Sequence, residues 1–339
     1  MPTLSPTKAP TGLPTKLPTL SPTNAPTTSP TKLPTSHPTG TPTALPTELP
    51  IVSPTHMHTA SPSSNTVTFY VMSGDDEYGG RTSALQRGLR KLDNQNGEWL
   101  VHLGDILDEK SSCQENEYEN FQSIYSQSAV PVYTLPGDNE WKKCPNPDQA
   151  WGYWEKYLSN LNTKFWGAPK QYTVQRQSSR NENFAFMNQG IQYVGVNMVA
   201  GPIDNRMEWA DRHADNLAWI EQNVNDNFNN IHAIIIFGHA GPCCDRVDAP
   251  LNILDDEFFE PLSLKADEWK KTTIFIQETN NKYTWSWQSN LEGVSHFWLI
   301  KVQSGIWPPM RIEIERTANT IQFDQNGIVR KAFMNTWID

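Results

Sequence analysis

The chain has 339 residues, and its composition changes sharply after residue 64: fifteen of the 26 prolines precede that point, whereas all 13 Trp, 13 Phe and 10 Tyr follow it. Residues 65–339 can therefore bury a large core and residues 1–64 cannot, which excludes two folded domains that divide near the middle and also excludes disorder throughout. The whole chain carries −10 and its first 64 residues +2, so the remainder carries −12, a charge that repels phosphate backbones and argues against nonspecific nucleic-acid binding.

Residues 1–64 form a Pro/Thr repeat. Proline recurs at every fourth position from Pro2 to Pro54, and Thr follows each of these prolines except Pro50. Because proline fixes φ and lacks an N–H donor, the repeat predicts a disordered, extended stalk or, with equal weight, a plain flexible linker. Its composition is also typical of O-glycosylated stalks, and no Asn-x-Ser/Thr acceptor occurs in the chain. The tail favours an extracellular or cell-wall location, although no signal peptide is visible.

From residue 65 onwards the pattern becomes that of a folded domain. Apolar and β-branched runs predict strands at 66–73, 99–103, 130–135, 184–187, 191–198 and 232–237. Helical spacing of apolar residues predicts helices at 80–94 and 208–227, with further helical sequence between the second and third strands. The last part is strand-rich, with strands predicted at 273–277, 294–302, 311–315 and 320–323. This order indicates an α/β fold with mixed β-sheet, most simply as two sheets.

The four cysteines are Cys113, Cys144, Cys243 and Cys244, and they allow three pairings if all are oxidised. Cys113 and Cys144 each follow a predicted strand, so they could meet at one end of a sheet. Four free thiols are equally compatible with the sequence. No run approaches about 18 consecutive apolar residues, so no membrane span is predicted.

Four predicted strands end in polar clusters. These are residues 74–77 (GDDE), 104–108 (GDILD), 136–140 (PGDNE) and 238–242 (GHAGP). Polar residues at the carboxyl ends of strands are the usual site positions of such a fold, and carboxylates that meet there repel one another unless a cation lies between them. Oxygen and imidazole ligands together suit Mn, Fe or Zn, and two such ions can bind a phosphoryl group and activate water.

The order of these clusters resembles that of the calcineurin-like metallophosphoesterases over residues 67–323. The sequences GDILD and FGHAGP match well, and PGDNEW resembles the subgroup with a GDNEW-type third motif. For residues 65–339 the resemblance implies a four-layer αββα sandwich with two mixed β-sheets. It also implies hydrolysis of a phosphorylated small molecule or macromolecule through a metal-bound hydroxide at a centre of two divalent ions.

The resemblance assigns roles to residues of this chain. The implied metal ligands are Asp75, Glu77, Asp105, Asp138, His239 and Glu278. Asp105 would bridge both ions, Asp75 would bind the first, and Asp138 and His239 would bind the second. Asn139 stands at the position of the family's catalytic His. A slip of one residue would instead make Asn139 the metal ligand and leave Asp138 spare.

Three motifs depart from the family pattern. Glu77 stands where the first motif has His, and Asn139 stands where the third motif has its general acid. The last motif, GHxH in the family, is replaced by Gln277 to Asn281 (QETNN), in which Glu278 can ligate but Asn280 is a poor substitute for imidazole. The first ion would rely on Asp75, Glu77 and this last motif, so it is expected to be the weaker.

These departures leave alternatives open. The first is a metal-dependent phosphoesterase. The second is a catalytically impaired pseudophosphoesterase that serves as an extracellular binding or wall module. The third is a structural protein in which the polar clusters are ordinary turns.

Overall fold

The structure is a computed structural model, and it describes residues 65–74, 82–200, 203, 205–242, 254–279 and 284–334. Within these ranges the chain forms two β-sheets with helices on the outer face of each. The repeat at 1–64 lies outside the described residues, so its stalk character stays a prediction. No helix in the described ranges has the length and apolarity needed to cross a bilayer.

The elements follow one another in an order close to the predicted one. The strands are β1 (Thr66–Met72), β2 (Leu100–His102), β3 (Val132–Thr134), β4 (Gln175–Arg176), β5 (Phe184–Asn188), β6 (Ile191–Gly195), β7 (Ala233–Phe237), β8 (Thr272–Thr279), β9 (Ser286–Gln288), β10 (Phe297–Gln303), β11 (Met310–Glu315), β12 (Thr320–Gln325) and β13 (Ile328–Phe333). The helices are α1 (Thr82–Leu89), α2 (Glu115–Tyr125), α3 (Pro147–Tyr157), α4 (Leu161–Trp166), α5 (Arg206–Asn227) and α6 (Glu260–Trp269).

Both sheets are mixed. The first has the order β13-β12-β11-β1-β2-β3, in which β1, β2 and β3 are parallel. The second has the order β4-β5-β6-β7-β8-β10-β9, in which β6, β7, β8 and β10 are parallel. Because parallel strands all end at one edge, the polar residues that follow them are collected at that edge.

The main core lies between the two sheets. Val67, Phe69 and Val71 of β1 face it, while Tyr70 and Met72 of the same strand face the helices outside, as the two-residue period of a strand requires. Phe69 stacks on Trp99 with ring centroids 5.4 Å apart. Burial of each such side chain contributes about 1.5–3 kcal/mol to folding.

Helices complete the outer layers. Leu89 of α1, Tyr118 of α2 and Trp154 of α3 pack on the first sheet, and Ile220 of α5 and Leu262 of α6 pack on the second. The predicted four-layer sandwich with two mixed sheets is therefore confirmed.

The sequence did not predict α3, α4, α6, β4, β9 or β13. Helix α6 continues a π-helical turn, Asp255–Phe259, and no side chain caps its start, although Glu260 and Pro261 in its first turn are typical of a helix start. Strand β13 pairs only with β12 and is almost wholly exposed, so it lacks the apolar alternation that marks a half-buried strand.

A disulfide joins Cys113 and Cys144, whose Cα atoms are 5.9 Å apart. The sequence left open whether Cys113 and Cys144 pair at one end of a sheet or stay free thiols, and the structure contains the pair. Cys243 and Cys244 lie outside the described residues. The bridge ties the segment after β2 to the loop after β3, close to the polar clusters.

Candidate metal centre

The loops after β2 and β3 approach so closely that only glycine fits between them. Gly104 has φ +103°, and a Cβ on it would lie 2.3 Å from the Gly137 nitrogen. A Cβ on Gly137 would lie 2.2 Å from the Asp105 nitrogen. The repeated Gly-Asp sequence at the two strand ends therefore brings the Asp105 and Asp138 carboxylates to the same place.

Glu140 holds these two loops together. Its Oε1 accepts a hydrogen bond from the Gly137 nitrogen at 2.6 Å, and its Oε2 accepts one from the Ile106 nitrogen at 3.2 Å. The side chain is completely buried, and burial raises its pKa to about 7 in spite of the Gly137 hydrogen bond. Sequence reasoning assigned no role to Glu140, because a carboxylate that pins two backbones leaves no local signature.

The second sheet contributes His239 after β7 and Glu278 in β8. The Glu278 nitrogen donates a hydrogen bond to the His239 oxygen at 3.1 Å, which aligns the two residues. The Ser73 hydroxyl, after β1 in the first sheet, lies within hydrogen-bond distance of both Glu278 Oε2 and the Gly104 oxygen and can donate its proton to either. This serine thus joins the two halves of the centre.

Gly241, in the GHAGP cluster, packs against Gln277, which leaves no room for a side chain at residue 241. A Cβ on Gly241 would lie only 1.0 Å from Gln277 Oε1, so a larger residue there would displace the side chain that precedes Glu278. The altered last motif, which begins at Gln277, therefore packs directly against the GHAGP cluster at residues 238–242.

Asp105, His239 and Glu278 converge on one point. Each offers one ligand atom, and the three atoms lie within 4.8 Å of one another. His239 Nε2 lies 3.4 Å from Asp105 Oδ1 and 3.6 Å from Asp138 Oδ1. His239 Nδ1 lies 3.3 Å from Glu278 Oε2 but without hydrogen-bond geometry, so this buried nitrogen has no hydrogen-bond partner among the described residues. Two carboxylates and one imidazole, whose Nδ1 has no hydrogen-bond partner among the described residues, fit a divalent transition metal.

The electrostatics of this cluster favour an added cation. Burial raises the pKa of Asp105 well above its usual range, and burial also raises that of Glu278. Burial by itself would lower the pKa of His239, but the carboxylates of Asp105 and Glu278 outweigh it and raise that pKa. Three carboxylates around one imidazole, with Asp138 as the third, leave an excess of negative charge in a largely buried place.

Asn139 and Lys143 form the rim beside Asp138. The Asn139 side chain donates from Nδ2 to the Leu107 oxygen at 3.1 Å and accepts at Oδ1 from Lys143 Nζ at 3.1 Å. Its backbone nitrogen donates to Asp105 Oδ1 at 3.2 Å. Partial burial disfavours the charged form of Lys143, but the Asp138 carboxylate outweighs it and raises the pKa of the lysine. Sequence reasoning missed Lys143, because its contact with Asp138 depends on a turn that residue type does not specify.

The structure thus brings together four of the predicted ligands, namely Asp105, Asp138, His239 and Glu278. Asp75 and Glu77 lie outside the described residues, as do Asn280 and Asn281. The resemblance placed Glu278 at the weaker first ion and His239 at the second ion. In the structure these two side chains lie beside each other.

A cavity of about 330 Å³ lies elsewhere, beside α1 and β11. Tyr70, Trp307 and Arg311 line it, and its lining does not include Asp105 or His239. The size of a cavity is therefore a poorer guide to the chemistry here than the convergence of ligand atoms.

A family model described as calcineurin-like phosphoesterase matches residues 55–270. Among solved structures, the chain is similar to a dimetal phosphatase from Danio rerio, with 12% identity, a TM-score of 0.52 and coverage of 80% of this chain and 99% of that one. It is also similar to GAP50, the anchor in the inner membrane complex of Plasmodium, with 12% identity, a TM-score of 0.50 and coverage of 80% and 89%.

Purple acid phosphatase PPD1 from yellow lupin (Lupinus luteus) seeds has 13% identity, a TM-score of 0.48 and coverage of 80% of this chain and 54% of that one. No curated protein matches the chain. At such identities the first two likenesses show a shared fold.

Proposed function

The chain belongs to the calcineurin-like phosphoesterase family, and we propose that it hydrolyses a phosphate ester with divalent metal ions bound at the strand ends. The observation that carries this proposal is the convergence of ligand atoms from Asp105, His239 and Glu278 within 4.8 Å. Mn, Fe and Zn all suit a donor set of carboxylates and imidazole.

Hydrogen bonds from the protein orient the candidate ligands. Asp105 is fixed by the Asn139 nitrogen, and Glu278 is fixed by Ser73 and by its backbone bond to His239. A bound divalent ion supplies a Lewis acid for a phosphoryl oxygen and lowers the pKa of a coordinated water. We propose that Asp105 also serves a second ion, together with Asp75 and Glu77.

We propose a phosphorylated small molecule or macromolecule as the substrate. The amide of Asn139 cannot give a proton to a leaving group as an imidazole can. Substrates whose leaving group needs no proton, such as an aryl phosphate, should therefore be hydrolysed faster than alkyl phosphates.

The test compares Asp105→Asn with the wild-type chain, using an aryl phosphate and added Mn²⁺ or Zn²⁺. We expect a loss of at least about 10³-fold in kcat/KM, equivalent to about 4 kcal/mol in the barrier. Asp108→Asn is the matched control, because Asp108 belongs to the same GDILD motif but is exposed and accepts a bond from the Lys110 nitrogen. Equal hydrolysis by Asp105→Asn and wild type would contradict the proposal.

A second candidate is a pseudophosphoesterase that binds a partner without catalysis. It is favoured by Asn139, whose amide is engaged at both ends by Leu107 and Lys143 at the position of the family's general acid. GAP50, which shares the fold, is described as an anchor. Bound metal without turnover of any phosphate ester would support this candidate.

We propose an extracellular or cell-wall location and a Pro/Thr stalk at 1–64 ahead of a catalytic domain at 65–339. The Cys113–Cys144 disulfide supports this location, because disulfides persist in oxidising compartments. Detection of O-linked sugar on the repeat of the protein isolated from its source would test both the stalk and the location.

A further inference from the structure

Lys143 places an ammonium between two oxygen ligands of the third motif. Lys143 Nζ lies 3.1 Å from Asp138 Oδ2 and 3.1 Å from Asn139 Oδ1. A carboxylate oxygen and an amide oxygen are also donors that a divalent cation takes. The ammonium therefore lies where the resemblance expects Asp138 or Asn139 to bind the second ion.

The main chain on both sides of Lys143 is anchored. The Lys143 nitrogen donates to the Asp138 oxygen at 2.8 Å, which closes a tight turn. Lys142 pairs with Glu208 of α5 at 3.2 Å, and Cys144 is tied to Cys113 by the disulfide. The side chain of Lys143 is 32% exposed, so its position follows from an anchored backbone rather than from complete burial.

The charges around His239 agree with one divalent ion among Asp105, Asp138 and Glu278, besides any ion that Asp105 shares with Asp75 and Glu77. Asp105, Asp138 and Glu278 carry three negative charges when ionised. One divalent ion and the Lys143 ammonium carry three positive charges, which match in number the three carboxylates that lie around His239. A further divalent ion at Asp138 would have to lie against the ammonium, and like charges at that distance repel.

We propose that Lys143 takes the cation position between Asp138 and Asn139 and so excludes a divalent ion from these two oxygens. The ion of the centre is then held by Asp105, His239 and Glu278 without them. This inference rests on the proposed function in one respect: it takes a divalent metal ion as the cation that would otherwise bind between Asp138 and Asn139. It assigns Lys143 as a positioning residue that sets how many ions the centre holds.

The experiment counts ions bound to the full chain. Wild type, Lys143→Met and Lys143→Arg are stripped of metal, titrated calorimetrically with Mn²⁺ alone and then subjected to elemental analysis. We expect Lys143→Met to bind about one further ion per chain, because methionine keeps the length of the side chain and removes its charge. Lys143→Arg should keep the wild-type number.

Two controls separate this effect from general disruption. Lys142→Met removes the neighbouring ammonium, whose partner is Glu208, and should keep the wild-type number of ions. Asp138→Asn in the otherwise wild-type chain should also keep that number, because Asp138 already binds Lys143. Circular dichroism establishes that each variant is folded.

An unchanged number of bound ions in Lys143→Met would overturn the inference, and so would loss of an ion in Asp138→Asn. If wild type binds ions and Lys143→Met binds no more, the inference fails and the proposed function stands. If neither protein binds an ion, both fail. Binding by Lys143→Met but not by wild type would overturn the assignment of the wild-type ion to Asp105, His239 and Glu278, and it would remove support for a wild-type metalloenzyme.

Discussion

Carboxyl groups lie at both ends of the parallel strands, but in different electrostatic surroundings. At the amino ends, Glu98 is a single carboxyl whose Oε2 accepts a hydrogen bond from Asn188 Nδ2 at 3.0 Å, and burial raises its pKa to about 7. At the carboxyl ends, three carboxylates crowd around His239. A single, partly buried carboxyl becomes neutral when it takes up a proton. Several carboxylates around one imidazole instead need a cation to balance their charge. A perturbed pKa therefore does not mark a site unless ligand atoms also converge.

The largest effect on stability is expected from the disulfide, which supports only the carboxyl ends. The double variant Cys113→Ser, Cys144→Ser should lose about 2–4 kcal/mol of unfolding free energy, because the bridge restricts a loop of 31 residues in the unfolded chain. Urea unfolding of the variant and of the wild type measures the loss. Reduction of the wild type should reproduce it. An unchanged midpoint in both experiments would show that the loops after β2 and β3 hold together without the bridge.

The next effect is the stabilisation that a metal ion gives to the carboxyl ends. At a free Mn²⁺ concentration of about 100 times Kd, the wild type should gain about 2.7 kcal/mol, which is a rise in melting temperature of about 5–10 °C. Asp105→Asn should show no such rise, because it removes a charged ligand at the centre. Glu98→Gln is the control at the opposite end and should respond like the wild type. An equal rise in Asp105→Asn would place the ion elsewhere.

The smallest effect is expected at the amino ends and depends on pH. The pKa of Glu98 is raised from 4.5 to about 7 on folding, so its contribution to stability is present below pH 4.5 and is lost as the pH rises towards 7. Glu98→Gln keeps the uncharged form at every pH. At pH 8 it should therefore be more stable than the wild type by about 1–3 kcal/mol, with little difference near pH 4.5.

Urea unfolding of both proteins at the two pH values measures this difference. A gain of the same size at both would mean that the amide side chain packs better than the carboxyl of Glu98 for reasons unrelated to charge. The Cys113→Ser, Cys144→Ser variant should keep the pH dependence of the wild type, because the disulfide lies at the other end of the strands.

The local order of strands, helices and polar clusters could be read from the sequence. Strand periodicity located β1 and β7, and the Gly-Asp and Gly-His sequences that follow strands identified Asp105, Asp138 and His239. The strand predictions were confirmed because they depend on apolar alternation among neighbouring residues. The structure brings Asp105, Asp138 and His239 together through turns that require glycine, and their roles as metal ligands stay predictions.

Only the tertiary structure decided which of these residues meet and what lies between them. Glu278 reaches His239 because β7 and β8 are neighbours, and it reaches Ser73 because the two sheets face each other. Glu140 and the Cys113–Cys144 bridge likewise join loops more than thirty residues apart in the chain. Lys143 reaches Asp138 through a turn whose backbone is anchored on both sides. Such contacts depend on strand order and close packing, which residue type and local spacing do not specify.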